Sequence, residues 1–218
     1  MGRTSKFGLI AIITLAVIGY GGYKFAPFVS SYTSVPANFG ALNPGDQAPG
    51  FELTDNTGSK RKLSDYLGKI VVLEWTNPLC EFTAKHYESG NMQALQKQIT
   101  DQGVIWLAIN TAKSTSASFM TPQAATERMA KFKTSMTALL LDETTDIGRL
   151  YGSRATPGIF IIDEAGIIAF HGGVDDGPWG DGNIKNAQNY VIPAIANLIK
   201  KQPIETPVTK AYGCSVTY

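Results

Sequence analysis

Alternating strands and helices that close in a hairpin and a final helix predict an α/β protein, a three-layer α/β/α domain around a mixed central sheet. Three observations carry this. Residues 70–75 and 104–109 are apolar, β-branched runs of the kind that form buried central strands, with a helical stretch between them. Residues 159–162 and 167–170 are strand-like and joined by Glu164-Ala165-Gly166, a hairpin signal. Residues 184–200 read as one amphipathic helix that can cover the sheet.

The remaining elements fit around these. Residues 51–53 form a short strand before a turn at Asn56-Thr57-Gly58, and residues 62–68 a helical turn. A helix starts at Cys80, breaks near Ser89-Gly90, and runs from 91 to 102, where Gly103 ends it. After a polar loop over 111–120, Thr121-Pro122 supplies an N-cap and a first-turn proline for a helix to about residue 133. Residues 137–141 give a third strand, and 146–151 a short helix stopped by Gly152. Helical crossovers imply parallel strands in the first part, and the hairpin an antiparallel edge.

Composition limits the function. The chain has 218 residues with 44% hydrophobic and 17% charged, so it can build a core and is not disordered throughout. Formal net charge is +1, which gives nucleic-acid binding no electrostatic support. Two cysteines, Cys80 and Cys214, are too few for a cysteine zinc cage and enough for one disulfide. No metal or organic cofactor is required.

The N-terminus reads as an export element. Residues 1–6 carry Arg3 and Lys6, and 7–29 is an apolar segment broken only by Lys24. Its uncharged stretch from Phe7 to Tyr23 is short for a bilayer span, which takes about 17–25 residues. An uncleaved anchor is the first expectation, with the domain outside the cytoplasm, where disulfides persist. Secretion after signal cleavage is the alternative. Residues 30–43 read as a tether, 44–201 as the domain, and 202–218 as an extended tail carrying Cys214.

Chemistry gathers at Cys80. Trp75-Thr76-Asn77-Pro78-Leu79-Cys80 runs from a buried strand through a tight loop to a helix start. Free N–H groups and the helix dipole there favour a thiolate. The carboxyl end of a central strand is where α/β sheets keep their sites. A buried, inert cysteine is the plain alternative. Arg154-Ala155-Thr156-Pro157-Gly158 precedes a strand, and a proline in that place cannot donate to the ladder. A cis peptide would leave the preceding backbone free to pair with a bound peptide or disulfide; an ordinary loop proline is the other reading.

Gly45-Asp46-Gln47-Ala48-Pro49-Gly50-Phe51, then residues 63–69, a Val/Leu strand, a loop cysteine, Tyr151-Gly152, Thr156-Pro157 and Ile161-Ile162-Asp163 to Gly166 occur in order. This set resembles the redoxin branch of the thioredoxin-like superfamily, which includes the alkyl-hydroperoxide-reductase/thiol-specific-antioxidant proteins. The resemblance covers about residues 45–200. It implies a thioredoxin-like fold, Cys80 as attacking cysteine and Pro157 as the cis-proline beside it. The chain departs from the pattern in three places. Thr83 stands where thioredoxins place their second cysteine, and Asn77 and Leu73 stand where peroxiredoxins carry Thr/Ser and Pro.

Cys214 is the candidate for the missing partner. Thirteen residue steps separate it from Lys201, about 40 Å of reach at about 3.3 Å per residue, against a radius of gyration of about 15 Å for such a domain. It can therefore meet Cys80 in its own chain or in a neighbouring one, so a dimer is compatible with the sequence.

The expected activity is thiol–disulfide exchange, with Cys80 and Cys214 catalytic and Trp75, Asn77, Thr83, Thr156 and Pro157 contacting substrate. A thiol protein or small thiol would supply electrons, and the substrate would be a disulfide or peroxide. Peroxiredoxin-type peroxide reduction is the first alternative, with Thr76, Asn77 or Arg154 as donors to the peroxide. A non-enzymatic binding module with a structural Cys80–Cys214 disulfide is the second. Trp75 reads equally as core. His86 points to another helix face and reads as a surface or capping residue, His171 as an edge-strand residue, and Lys85 as solvated surface. Asp175, Asp176 and Asp181 lie in an acidic loop whose spacing does not match an EF-hand.

Overall fold

The computed structural model describes residues 42–177 and 183–218. The segment 7–29 expected to anchor or export the chain, nearly all of the tether, and Asp181 lie outside the described residues. Among those described, no helix is long and apolar enough to cross a membrane.

A seven-stranded sheet forms the centre. Its strands are β1 (Glu52–Asp55), β2 (Lys60–Lys62), β3 (Val71–Trp75), β4 (Ile105–Thr111), β5 (Ala138–Asp142), β7 (Gly158–Ile162) and β8 (Ile168–Gly172), in the spatial order β2-β1-β5-β4-β3-β7-β8. The pairs β3/β4 and β4/β5 are parallel, and all other pairs are antiparallel. The mixed sheet expected from the sequence is therefore present. β6 (Ala155–Thr156) and β9 (Cys214–Ser215) make a separate two-stranded ladder.

Both faces of the central strands are buried, and the pleat divides their side chains. Val72, Trp106, Ala108 and Leu139 face one core, with Tyr87, Met92, Ile99 and Ile195. These come from α1 (Glu81–Glu88), α2 (Asn91–Thr100) and α5 (Val191–Ile199), and Ala125 of α3 (Pro122–Phe132) joins them. Val71, Leu73, Trp75, Leu107 and Ile109 face a second core, with Phe51, Leu63, Ile147 and Tyr151. There α4 (Asp146–Tyr151) and a 3-10 turn at Leu63–Tyr66 make a thinner layer.

Two expectations need correction. The last helix does not run from 184 to 200: a 3-10 turn at Ile184–Asn186 is separated from α5. Residues 188–190 spend their backbone groups on the acidic loop instead. The N–H of Asp176 bonds Gln188 O at 3.1 Å, and that of Tyr190 bonds Val174 O at 3.0 Å. Nor does the tail trail free. Thr209 N donates to His171 O at 3.1 Å, His171 N to Pro207 O at 3.0 Å, and Val216 N to Arg154 O at 3.2 Å. The tail lies along the edge at β8 and ends against β6.

Candidate functional site

β3 delivers the chain to the site. After Trp75, Thr76 N still bonds Ile109 O of β4 at 2.9 Å, which fixes where the strand ends. Asn77 then folds the loop: its side-chain Oδ1 accepts from Leu79 N at 2.9 Å, and its backbone O accepts from Cys80 N at 3.2 Å. Cys80 follows as the N-cap of α1, with extended backbone, and Ala84 N bonds its carbonyl at 2.8 Å. No side-chain bond caps the helix. The first-turn amides of α1 therefore open towards the Cys80 side chain, the setting that stabilises a thiolate.

In this structure Cys80 is half of an intrachain disulfide with Cys214, Cα–Cα 5.7 Å. Cys80 is 1% exposed. The tail supplies the partner and much of the cover. β9 pairs antiparallel with β6 in the register Ala155↔Ser215 and Thr156↔Cys214. Thr156 Oγ1 donates to Cys214 O at 3.3 Å. The Thr156–Pro157 peptide is cis, and Thr156 O stands 3.0 Å from Cys80 Sγ. A disulfide sulfur carries no proton, so this is a contact in the oxidised form and a position for a thiol hydrogen bond once Cys80 is reduced.

The structure thus gathers Cys80, Cys214, Thr156 and Pro157. The other sequence candidates divide. Thr83, one helical turn beyond Cys80, is fully buried, and its hydroxyl finds no hydrogen-bond partner among the described residues. Asn77 holds the loop, and its side-chain oxygen is occupied by Leu79 N. Trp75 has no exposed surface in this oxidised form. Its ring packs on Tyr151 and Phe160, and its Nε1–H donates to Thr111 Oγ1 at 3.1 Å. Thr111 in turn donates to Asp142 at 2.8 Å. Of the proposed peroxide donors, Thr76 is buried and Arg154 is exposed.

His86 is fully buried, not at the surface. Asn91 Nδ2 donates to its Nδ1 at 3.0 Å, so the ring keeps its proton on Nε2 and donates to Tyr212 Oη at 2.8 Å. The Tyr212 hydroxyl donates onward to Asp175 Oδ1. Asp175 is itself 1% exposed, and its Oδ2 lies 3.9 Å from His86 Nε2. Burial pushes the His86 imidazole down to about 4 against the pull of Asp175, with Lys85 adding to the downward push. Burial, and then the hydrogen bond to Asp175, hold the Tyr212 hydroxyl far above its ordinary value. Among the described residues, no group of three or more His, Cys, Asp or Glu is placed to hold a metal ion.

Comparison with known proteins follows the same lines. The AhpC/TSA family model matches residues 44–171. The thiol-disulfide oxidoreductase ResA of Geobacillus kaustophilus is 29% identical over 159 residues, 73% of this chain and 80% of that protein. Among solved structures, an uncharacterized conserved protein from Geobacillus kaustophilus superposes with a TM-score of 0.72 at 22% identity, over 81% of this chain and 93% of that one. The thioredoxin domain of a thiol-disulfide oxidoreductase from Bacteroides vulgatus gives 0.50 at 19% identity, over 74% and 98%. These two structural likenesses identify the fold as thioredoxin-like.

Proposed function

Since the chain belongs to the AhpC/TSA family of thiol-dependent oxidoreductases, we propose that it is a thiol–disulfide oxidoreductase whose working pair is Cys80 and Cys214. The observation that carries this is the disulfide joining the N-cap of α1 to the tail strand laid on Thr156. A curated relative named as a thiol-disulfide oxidoreductase, matched over most of its length, supports it.

In the reduced protein the Cys80 thiolate attacks one sulfur of a substrate disulfide and expels the other as thiolate. Cys214 then attacks the Cys80 sulfur, releasing the second substrate thiol and closing the Cys80–Cys214 bond. Two electrons pass to the substrate, and a thiol donor restores them by the reverse exchange. The first-turn amides of α1 favour Cys80 both as attacking and as leaving thiolate. The acting unit is the domain of residues 44–201 with its tail, held outside the cytoplasm by the segment 7–29 as an anchor or delivered there by it as a signal.

One observation favours a second reading. Cys80 is 1% exposed, as befits a structural clasp in a non-enzymatic module. Reduction of the purified protein, followed by addition of hydrogen peroxide or a model disulfide, separates the readings when thiol loss is followed in wild type, Cys80→Ser and Cys214→Ser. Rapid loss with the disulfide that disappears in Cys80→Ser is the expected result. Loss unaffected by Cys80→Ser would leave only the clasp, and reaction with peroxide alone would move the assignment to a thiol peroxidase.

A further inference from the structure

The tail is fastened at points that involve no sulfur, and the most developed of these adjoins Cys214. The Tyr212 ring lies over α1, edge-on to Phe82 at 5.9 Å and stacked along His86 at 6.4 Å. Its hydroxyl sits between a buried donor, His86 Nε2, and a buried acceptor, Asp175 Oδ1. Asp175 is oriented in turn by Gly177 N at 3.0 Å. The wall opposite α1 is made of glycines. A Cβ at Gly177 would come within 2.9 Å of the Tyr212 ring, and one at Gly173 within 3.6 Å. The cavity is thus shaped for a phenol, with one hydrogen-bond donor and one acceptor at its end.

We propose that His86, Asp175 and Tyr212 form a positioning device that docks the tail by contacts the disulfide does not supply, and so returns Cys214 to Cys80 whenever the pair has been opened. The proposal rests on the thiol–disulfide reading above. Only Gly213 separates Tyr212 from Cys214, so seating the Tyr212 ring fixes its Cα and confines the Cys214 Cα to within about 7 Å of that Cα, two steps of about 3.8 Å at most. Beyond Cys214, Val216 N and the Tyr218 hydroxyl hold the other side, the latter bonded to Gly148 O and Ser153 O. A thiol held from both sides reacts at a high effective concentration, whereas the same thiol on a loose tail must search for its partner. In this arrangement His86 and Asp175 act through Tyr212.

Single-turnover reaction of the reduced protein with a chromogenic aromatic disulfide tests this. The first protein thiolate breaks the reagent's S–S bond and releases one coloured thiolate. The second cysteine then attacks the protein–reagent disulfide, forms Cys80–Cys214 and releases the other. Tyr212→Phe removes the hydroxyl that joins His86 Nε2 to Asp175 Oδ1, so the second release should slow by roughly tenfold. Tyr212→Ala also removes the ring and should slow it by roughly a hundredfold. The first release should be unchanged or faster in both. His86→Gln, which keeps an N–H donor, should recover part of the rate that His86→Leu loses, and Lys97→Ala on the exposed side of α2 should change neither phase. A second release as fast in both Tyr212 variants as in wild type would overturn the device while leaving the thiol–disulfide reading intact. Absence of the first release in wild type would overturn that reading and the device with it.

Discussion

Gly213 lies against the carbonyl of Thr156 so closely that a Cβ at position 213 would strike the Thr156 oxygen. Its φ of +123° also falls where side chains are rarely tolerated. The glycine lets the tail backbone lie flat on the strand that flanks Cys80. Gly213→Ala should weaken this pairing, which lays Cys214 against Cys80 in the closed disulfide. We expect the Cys80–Cys214 bond to become easier to reduce by about tenfold, given a strain of about 1–3 kcal/mol for such a residue. Equilibration against a glutathione buffer reads this directly, and an unchanged equilibrium constant would contradict it.

Thr83 has a buried hydroxyl with no hydrogen-bond partner among the described residues, one helical turn after Cys80. On α1 that hydroxyl lies three residues beyond Cys80, on the same helix face. Thr83→Val should therefore raise the Cys80 pKa by about one unit, the worth of one hydrogen bond to a charged group. Thr83→Ser should leave it nearly unmoved. Titration of the ultraviolet thiolate absorbance in a Cys214→Ser background distinguishes the two variants. Equal values in all three proteins would remove Thr83 from the site.

His86 gives the fold a pH dependence of definite sign. Its pKa falls from 6.5 in the unfolded chain to about 4 in the folded one, because burial disfavours the imidazolium. Between those values the unfolded state binds the extra proton, so stability is full above about pH 6.5 and falls as pH drops towards 4. The loss is on the order of 3 kcal/mol at most. Asp175 and Tyr212 face the ring, Lys85 acts on it from the same helix, and His171, also lowered by burial, adds a smaller change of the same sign. Thermal unfolding across this range should show the decline. His86→Gln should flatten most of it, and an undiminished slope in that variant would place its origin elsewhere.

Beneath α1, the fully buried Glu74 accepts from Trp106 Nε1 at 2.9 Å, from Tyr87 Oη at 2.9 Å and from Gln96 Nε2 at 3.3 Å. Burial raises its pKa all the same. Its charged form is therefore disfavoured by folding, and its contribution declines as pH rises above 4.5 through the folded value. Glu74→Ala strands the buried Trp106 Nε1 and Tyr87 hydroxyl donors, while Gln96 Nε2 keeps Tyr87 Oη at 3.1 Å, and should cost about 3 kcal/mol or more. Glu74→Gln should cost less and remove this part of the pH dependence. Denaturant titrations at two pH values measure both effects.

What could be read from the sequence depended on whether a residue's neighbours were local. Residues 70–75 and 104–109 announced β3 and β4 because strands buried on both faces carry apolar, β-branched runs. Thr121-Pro122 announced α3 by the same local logic, and the Thr121 hydroxyl does accept from Ala124 N at 3.2 Å. β2, made of Lys60-Arg61-Lys62, gave no such sign, since a charged edge strand looks like any polar turn. Helical spacing from Cys80 puts His86 on another face. Its burial comes from Tyr212, 126 residues away, which no periodicity within α1 can report. Likewise α5 starts late because Gln188 and Tyr190 bond a loop that precedes them in the chain. The complete burial of Trp75 depends on Tyr151 and Phe160 from distant elements.

Joining Cys80 to Cys214 makes a covalent ring with a sequence separation of 134 residues. Among the described residues, α1 to α5 and every strand from β4 to β8 lie within it, while β1, β2 and β3 remain outside. Closing so large a ring restricts the unfolded chain, by about 5 kcal/mol in the chain-entropy picture. The oxidation state of one bond and the melting temperature of the whole domain are then two expressions of a single linkage. A thiol that opens the bond draws on folding free energy as well as on sulfur chemistry, and whatever holds the domain folded makes its electrons harder to replace.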